Sequence, residues 1–90
     1  MGTMLLIYKI MPSSPEADLE KIKKEAKKIL EEKEAQKVYF KEEPIAFGLS
    51  AIKAGFDLDE KHALDPIQAA LEKIEHVSSV EVDDMRRAFG

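Results

Sequence analysis

Glu43-Pro44-Ile45-Ala46-Phe47-Gly48-Leu49 lies at the middle of the 90-residue chain and joins two runs that read as strands, Gln36 to Glu42 and Leu49 to Phe56. Pro44 lacks an N–H and has a fixed φ, so it ends the first run, whereas Gly48 is free to take the positive φ that a side chain resists. A connection this short makes the two runs neighbouring antiparallel strands. Ile45, Ala46 and Phe47 are apolar where turns are ordinarily polar. The general behaviour of apolar side chains predicts that they tuck under the sheet edge; the other reading is that they are offered to a partner.

Working outward, each strand has a helical segment on its far side. Leu19, Ile22, Ala26, Ile29 and Leu30 form one helical stripe, and everything between them is Lys or Glu. Pairs four apart (Glu20–Lys24, Lys21–Glu25, Lys27–Glu31, Lys28–Glu32) are expected to support this helix by ~0.2–0.5 kcal/mol each. Ser14 is the expected N-cap, with Pro15 in the first helical position. The lysine cluster Lys23, Lys24, Lys27 and Lys28 is offset by interleaved acids, so it reads as a solvated face. On the other side, Asp65 is the expected cap of a second helix, with Pro66 in its first turn and a stripe of Ile67, Ala70, Leu71 and Ile74. His76 follows its end. The segment from Asp57 to Leu64 reads as a charged loop without the glycine and oxygen spacing of a calcium site.

Two further strands close the plan. Thr3 to Met11 is apolar on both faces (Met4, Leu6, Tyr8, Ile10 against Leu5, Ile7, Lys9, Met11), which marks a central strand. Val77 to Met85 is the last, with Val80 and Val82 inward and Glu81 and Asp83 outward. The order β-α-β-β-α-β with right-handed crossovers predicts an α+β, ferredoxin-like sandwich: a four-stranded antiparallel sheet of order 4-1-3-2 with both helices on one face. Ile52, Ala54 and Phe56 are assigned to the core. Leu5, Ile7, Leu49 and Ala51 then fall on the face without helices, making it more apolar than a solvated sheet and a candidate docking surface.

Composition narrows the function. With 44% apolar and 36% charged residues, the chain reads as one globular domain spanning residues 1–90. There is no cysteine, hence no disulfide, thiolate metal site or Cys nucleophile. Met4 to Met11 is too short to span a membrane and is interrupted by Lys9, so a cytoplasmic location is expected. A net charge of −4 argues against nucleic acid as a direct partner. An RNA-recognition module would need aromatic platforms in a basic surround; the central strands offer only Tyr8 and Phe56. An acylphosphatase-like enzyme would need an Arg after the first strand and an Asn, but the chain has no Asn and its only arginines are Arg86 and Arg87. His62 and His76 stand alone. What remains is a binding module with an apolar turn and, after Glu81, Asp83 and Asp84, a cationic tail, Arg86-Arg87-Ala88-Phe89-Gly90. Composition alone reads that tail as frayed.

Lys9-Ile10-Met11-Pro12 followed by Ser14-Pro15-Glu16, the block Glu43-Pro44-Ile45-Ala46-Phe47-Gly48-Leu49, and Val77-Ser78-Ser79-Val80-Glu81-Val82 together resemble the archaeal elongation factor 1-beta family and the C-terminal domain of its eukaryotic counterpart. The resemblance covers the whole chain, and Pro-Ile-Ala-Phe-Gly is its most specific part. It implies a guanine-nucleotide exchange factor for the GDP-bound GTPase elongation factor 1-alpha, with no bond chemistry of its own and no cofactor. It also implies that Phe47, within Pro44, Ile45, Ala46 and Gly48, contacts the GTPase. A basic residue near the C-terminus, usually Lys, approaches the magnesium and phosphate site in such proteins; its match is Arg87, two residues after Met85, with Arg86 beside it. The expected state is a monomer. The alternative is a small ferredoxin-like regulatory or assembly domain that binds a ligand or partner on its open sheet face.

Overall fold

A computed structural model describes residues 2–88 of the chain. The Phe89-Gly90 end of the tail lies outside the described residues. The elements are β1 (Thr3–Pro12), α1 (Leu19–Glu32), β2 (Gln36–Pro44), β3 (Ser50–Asp59), α2 (Asp65–Glu72) and β4 (Val77–Ala88). All strand pairings are antiparallel and the order is β2-β3-β1-β4, which is the expected 4-1-3-2 read from the other edge. The fold is α+β and ferredoxin-like.

Alternation decides the core. Leu6, Tyr8 and Ile10 of β1 stand opposite Phe56, Ala54 and Ile52 of β3, and all six are buried on the side facing the helices. α1 adds Ile22, Ala26 and Leu30, and α2 adds Ile67 and Leu71, so both apolar stripes are used as the spacing predicts. Each large aliphatic or aromatic side chain sealed in this layer contributes roughly 1.5–3 kcal/mol relative to exposure. The Tyr8 and Phe56 rings meet at 5.7 Å between centroids, tilted by 43°. The Tyr8 hydroxyl is buried without a hydrogen-bond partner among the described residues.

The element ends depart from the sequence-based expectations, each for a local reason. α1 starts at Leu19 instead of after Ser14, because the Asp18 carboxylate accepts from the Glu20 and Lys21 N–H groups at 3.1 and 3.3 Å and so satisfies two donors of the first turn. Ser13 to Ala17 instead forms a turn, with the Ser13 N–H donating to the His76 carbonyl at 2.8 Å and the Ala17 N–H to the Ser14 carbonyl at 3.2 Å. In α2 the cap position belongs to Leu64, and Asp65 is the first helical residue with no side-chain cap bond. β3 continues to Asp59, taking Asp57, Leu58 and Asp59 out of the expected loop, since β1 offers partners as far as Thr3.

α1 ends in a Schellman arrangement, with the Ala35 N–H on the Leu30 carbonyl at 2.9 Å and the Glu34 N–H on the Glu31 carbonyl at 3.1 Å. Glu34 occupies the left-handed position usually held by glycine, at φ 68°. Its carboxylate lies 3.0 Å from His62. The expected ion pairs four residues apart along α1 are not among those formed by the described residues. Lys23 instead pairs with Glu20, three residues back, and with Glu42 on β2. Exposed pairs gain little over solvated side chains, so their absence costs the helix little.

β4 does not stop at Met85 and fray. It pairs with β1 through Ala88, and Arg86 and Arg87 stand opposite Leu5 and Met4 within the sheet. Val82 faces the helix side as expected but is exposed rather than buried.

Candidate functional site

The central turn is a tight reversal. The Ile45 N–H donates to the Leu49 carbonyl at 2.8 Å and the Leu49 N–H to the Ala46 carbonyl at 3.3 Å. Between them Phe47 lies at φ 63°, ψ 31° and Gly48 at φ 74°. Two consecutive positive φ values are the signature of a type I′ turn, whose twist matches a hairpin and whose first central residue is ordinarily Asn, Asp or Gly. A phenylalanine there costs roughly 1–2 kcal/mol of backbone strain. Gly48 takes the positive φ expected of it, and a Cβ built on it would lie 4.0 Å from Pro15, so backbone geometry rather than crowding is what calls for glycine.

This geometry overturns the tucked-in expectation for the turn. Phe47 is 92% exposed. Ala46 and Pro44 are also exposed, and only Ile45 and Leu49 are half-buried. A left-handed residue at the tip of a two-residue loop directs its side chain away from the sheet, so it has no edge to tuck under.

Arg86 and Arg87 lie elsewhere. Pro44 and the turn stand at the Ser50 end of β3, whereas Arg87 is opposite Met4, itself opposite Leu58. Eight steps along β3 separate Ser50 from Leu58, roughly 26 Å at about 3.3 Å per residue. The structure therefore holds Pro44, Ile45, Ala46, Phe47 and Gly48 together at one end and the two arginines together at the other. Each arginine already has an acid: Arg86 Nε meets Asp84 at 3.0 Å and an Arg87 guanidinium nitrogen meets Glu60 at 3.3 Å.

The open sheet face between these ends is less apolar than its sequence pattern suggests. Ala51 is sealed and Leu49 falls outside β3, leaving Leu5, Ile7, Met11 and Tyr39 as its apolar surface. Lys53 crosses it, 3.0 Å from Glu43 on β2 and 3.0 Å from Asp83 on β4. Hydrogen bonds to Asp83 and then to Glu43 raise the Lys53 pKa. Tyr39, Lys53, Val82 and Met85 were not legible as site residues, because their exposure and pairing follow from strand register. Among the described residues no cluster of three metal-ligating side chains forms, and no helix is long and apolar enough to cross a membrane. A groove of about 370 Å³ between the helices, over Ile22, Ile29 and Ile74, holds none of the expected contact residues.

Phe47 thus projects from one end of a ferredoxin-like sheet, and two neighbouring arginines, each with its own acid, stand at the other. The chain belongs to the EF-1 guanine nucleotide exchange domain family, whose model matches residues 5–88. It is 39% identical over 89 residues to elongation factor 1-beta of Methanocaldococcus jannaschii, covering 98% of this chain and 100% of that one. Elongation factor 1-beta of Methanoculleus marisnigri is 43% identical over 83 residues, covering 91% and 93%. That of Methanothermobacter thermautotrophicus is 42% identical over 89 residues, covering 97% and 98%. Membership makes the chain a nucleotide exchange factor, not an enzyme with bond chemistry of its own.

Proposed function

We propose that the 90 residues act as one exchange domain that promotes GDP release from elongation factor 1-alpha in the cytoplasm, during translation elongation. The observation that carries this reading is Phe47: 92% exposed in a conformation a phenylalanine resists, on a chain matched almost end to end by an exchange-domain family. Strain kept at an exposed position has no use in the folded chain itself, and an apolar pocket on a partner supplies one.

In this mechanism Phe47 anchors the GTPase, with Pro44, Ile45, Ala46 and Gly48 shaping the turn around it. Arg86 or Arg87, about a sheet-length away, approaches the magnesium and phosphate site. GDP is held there by Mg²⁺ and phosphate contacts, so a cation brought beside them replaces part of the metal's charge without its coordination geometry. Nucleotide leaves faster, while the overall equilibrium between free and bound nucleotide is unchanged. Two contacts that far apart suit a partner engaged along the length of the sheet.

The test is release of a fluorescent GDP analogue from an archaeal elongation factor 1-alpha with this protein in catalytic amounts. Acceleration at substoichiometric protein is expected, and sizing at micromolar concentration is expected to show a monomer. A folded protein that leaves the release rate unchanged refutes the proposal. The second reading, a ligand or partner on the open sheet face, draws on exposed Leu5 and Tyr39, and a stable dimer through that face would favour it.

A further inference from the structure

The exposed turn is carried by two unequal stems. β3 is anchored directly after it, with Ala51 and Ile52 sealed in the sheet. β2 is an edge strand bonded only to β3, and none of its nine residues is buried. Val38 and Phe40 pack partly against the core, but Lys41, Glu42 and Glu43 bring no apolar side chain to it. The last residues before Pro44 therefore lack the packing that ordinarily holds a strand end in place.

Ion pairs hold that stem from both faces. Glu42 stands opposite Ile52 and so faces the helices, where its carboxylate meets Lys23 of α1. Glu43 stands opposite Ala51 and faces the open side, where its carboxylate meets Lys53 of β3 at 3.0 Å. Each lysine has a second acid behind it, Glu20 on α1 for Lys23 and Asp83 on β4 for Lys53, both at 3.0 Å. Hydrogen bonds to Glu42 and then to Glu20 raise the Lys23 pKa, as those to Asp83 and Glu43 raise that of Lys53. Lys24, on the exposed face of the same helix, takes part in none of these bonds.

We infer that Lys23 and Lys53 are positioning residues for Phe47: by holding Glu42 and Glu43 from opposite faces they keep the β2 stem in register, so the turn presents its aromatic to the GTPase in one orientation. The inference rests on the exchange reading. Phe47 is kept in a left-handed conformation at a cost in strain, and a frayed stem lets the turn relax out of it. Each exposed pair adds little to the stability of the whole fold, so the effect is local to the turn. A turn that is frayed for part of the time binds with an affinity reduced by its competent fraction.

The experiment follows two readouts on the full chain: the GDP-release assay, and amide proton exchange at Ile45, whose N–H donates to the Leu49 carbonyl across the turn. Lys23→Met combined with Lys53→Met is expected to speed proton exchange at Ile45 about tenfold while the amides of β1 keep their rates. It is also expected to raise the concentration for half-maximal GDP release about fivefold with the maximal rate kept, as a competent fraction of roughly one fifth implies. Glu42→Gln combined with Glu43→Gln is expected to do the same, and Lys24→Met to do neither. In a Phe47→Ala background the lysine pair is expected to add no further loss, because no anchor is left to position. Melting curves confirm that each variant folds, and either lysine variant alone gives the same direction at smaller size where the double variant does not fold. The inference is overturned if Ile45 exchange is unchanged, if Lys24→Met is as damaging, or if the losses add in the Phe47→Ala background. It is equally overturned if the glutamate pair behaves as wild type while the lysine pair does not, which makes the lysines contacts in their own right. Failure of the wild-type protein to accelerate release removes the exchange reading itself, a distinct result, since Ile45 still reports on the stem.

Discussion

The Tyr39 ring lies across Gly55 on the neighbouring strand and fills the space that a Cβ at position 55 would need. An aromatic over a strand glycine covers backbone that the glycine leaves bare and supplies the packing the glycine lacks. Tyr39 is 46% exposed, so its ring has room to swing away. Gly55→Ala is therefore expected to cost under about 1 kcal/mol while displacing the ring. In a double-mutant cycle with Tyr39→Ala, a coupling of about 0.5–1 kcal/mol is expected. Urea melts of the four proteins measure it, and strict additivity would show that the two residues do not interact.

Phe47 sets stability against function. Phe47→Asn places a residue that tolerates the left-handed region at the position where type I′ turns favour it, so stability is expected to rise by about 1 kcal/mol. The same change removes the proposed anchor, so acceleration of GDP release is expected to fall. A loss of stability on this substitution would mean that the ring packs against the domain.

Glu34 offers a similar correction without the functional cost. Glu34→Gly relieves the positive φ in the Schellman turn but loses the contact with His62, for a net gain of about 0.5 kcal/mol. Glu34→Ala loses the contact and keeps the strain, so it is expected to be less stable than both wild type and Glu34→Gly. Chemical denaturation of the three orders them.

Tyr8 predicts a pH dependence. Burial, and secondarily the Asp65 charge, push its hydroxyl above the usual value of 10.0. Above pH 10 the unfolded chain loses this proton while the folded chain keeps it, so the unfolded state binds fewer protons and stability falls as pH rises toward the folded pKa. Below pH 10 the group contributes no slope. Tyr8→Phe removes the unpartnered hydroxyl, so it is expected to leave neutral-pH stability unchanged or raise it by about 1 kcal/mol. It is also expected to flatten the decline above pH 10, as thermal melts in that range will show. An unchanged alkaline slope would exclude Tyr8 as its source.

Much of the fold was legible in local pattern. The two-sided apolar run of Thr3 to Met11, the stripes through Ile22 and Ile67, and the Pro44–Gly48 punctuation each reflect chemistry acting over a few residues: alternation, helical spacing and the φ preferences of proline and glycine. These determine which elements form and which faces are buried, and with right-handed crossovers they determine the sheet order. Helix starts were less legible, because Ser14 and Asp18 both qualify as caps; the Ser13 bond to His76, sixty-three residues away, leaves that role to Asp18.

The candidate site divides the same way. The apolar turn and the change of charge sign are visible in one dimension, but pattern alone read the first as tucked in and the second as frayed; the family resemblance is what marked Phe47 and the arginines as contact residues. Tertiary structure alone decided that Phe47 projects instead of tucking in, that the arginines belong to a strand, and that the two groups lie at opposite ends of the sheet. It alone decided that Glu42 and Glu43, neighbours in the chain, are held by Lys23 on one face of the sheet and by Lys53 on the other. Strand register and helix packing couple residues distant in the chain, so neither is written in the local order of side chains.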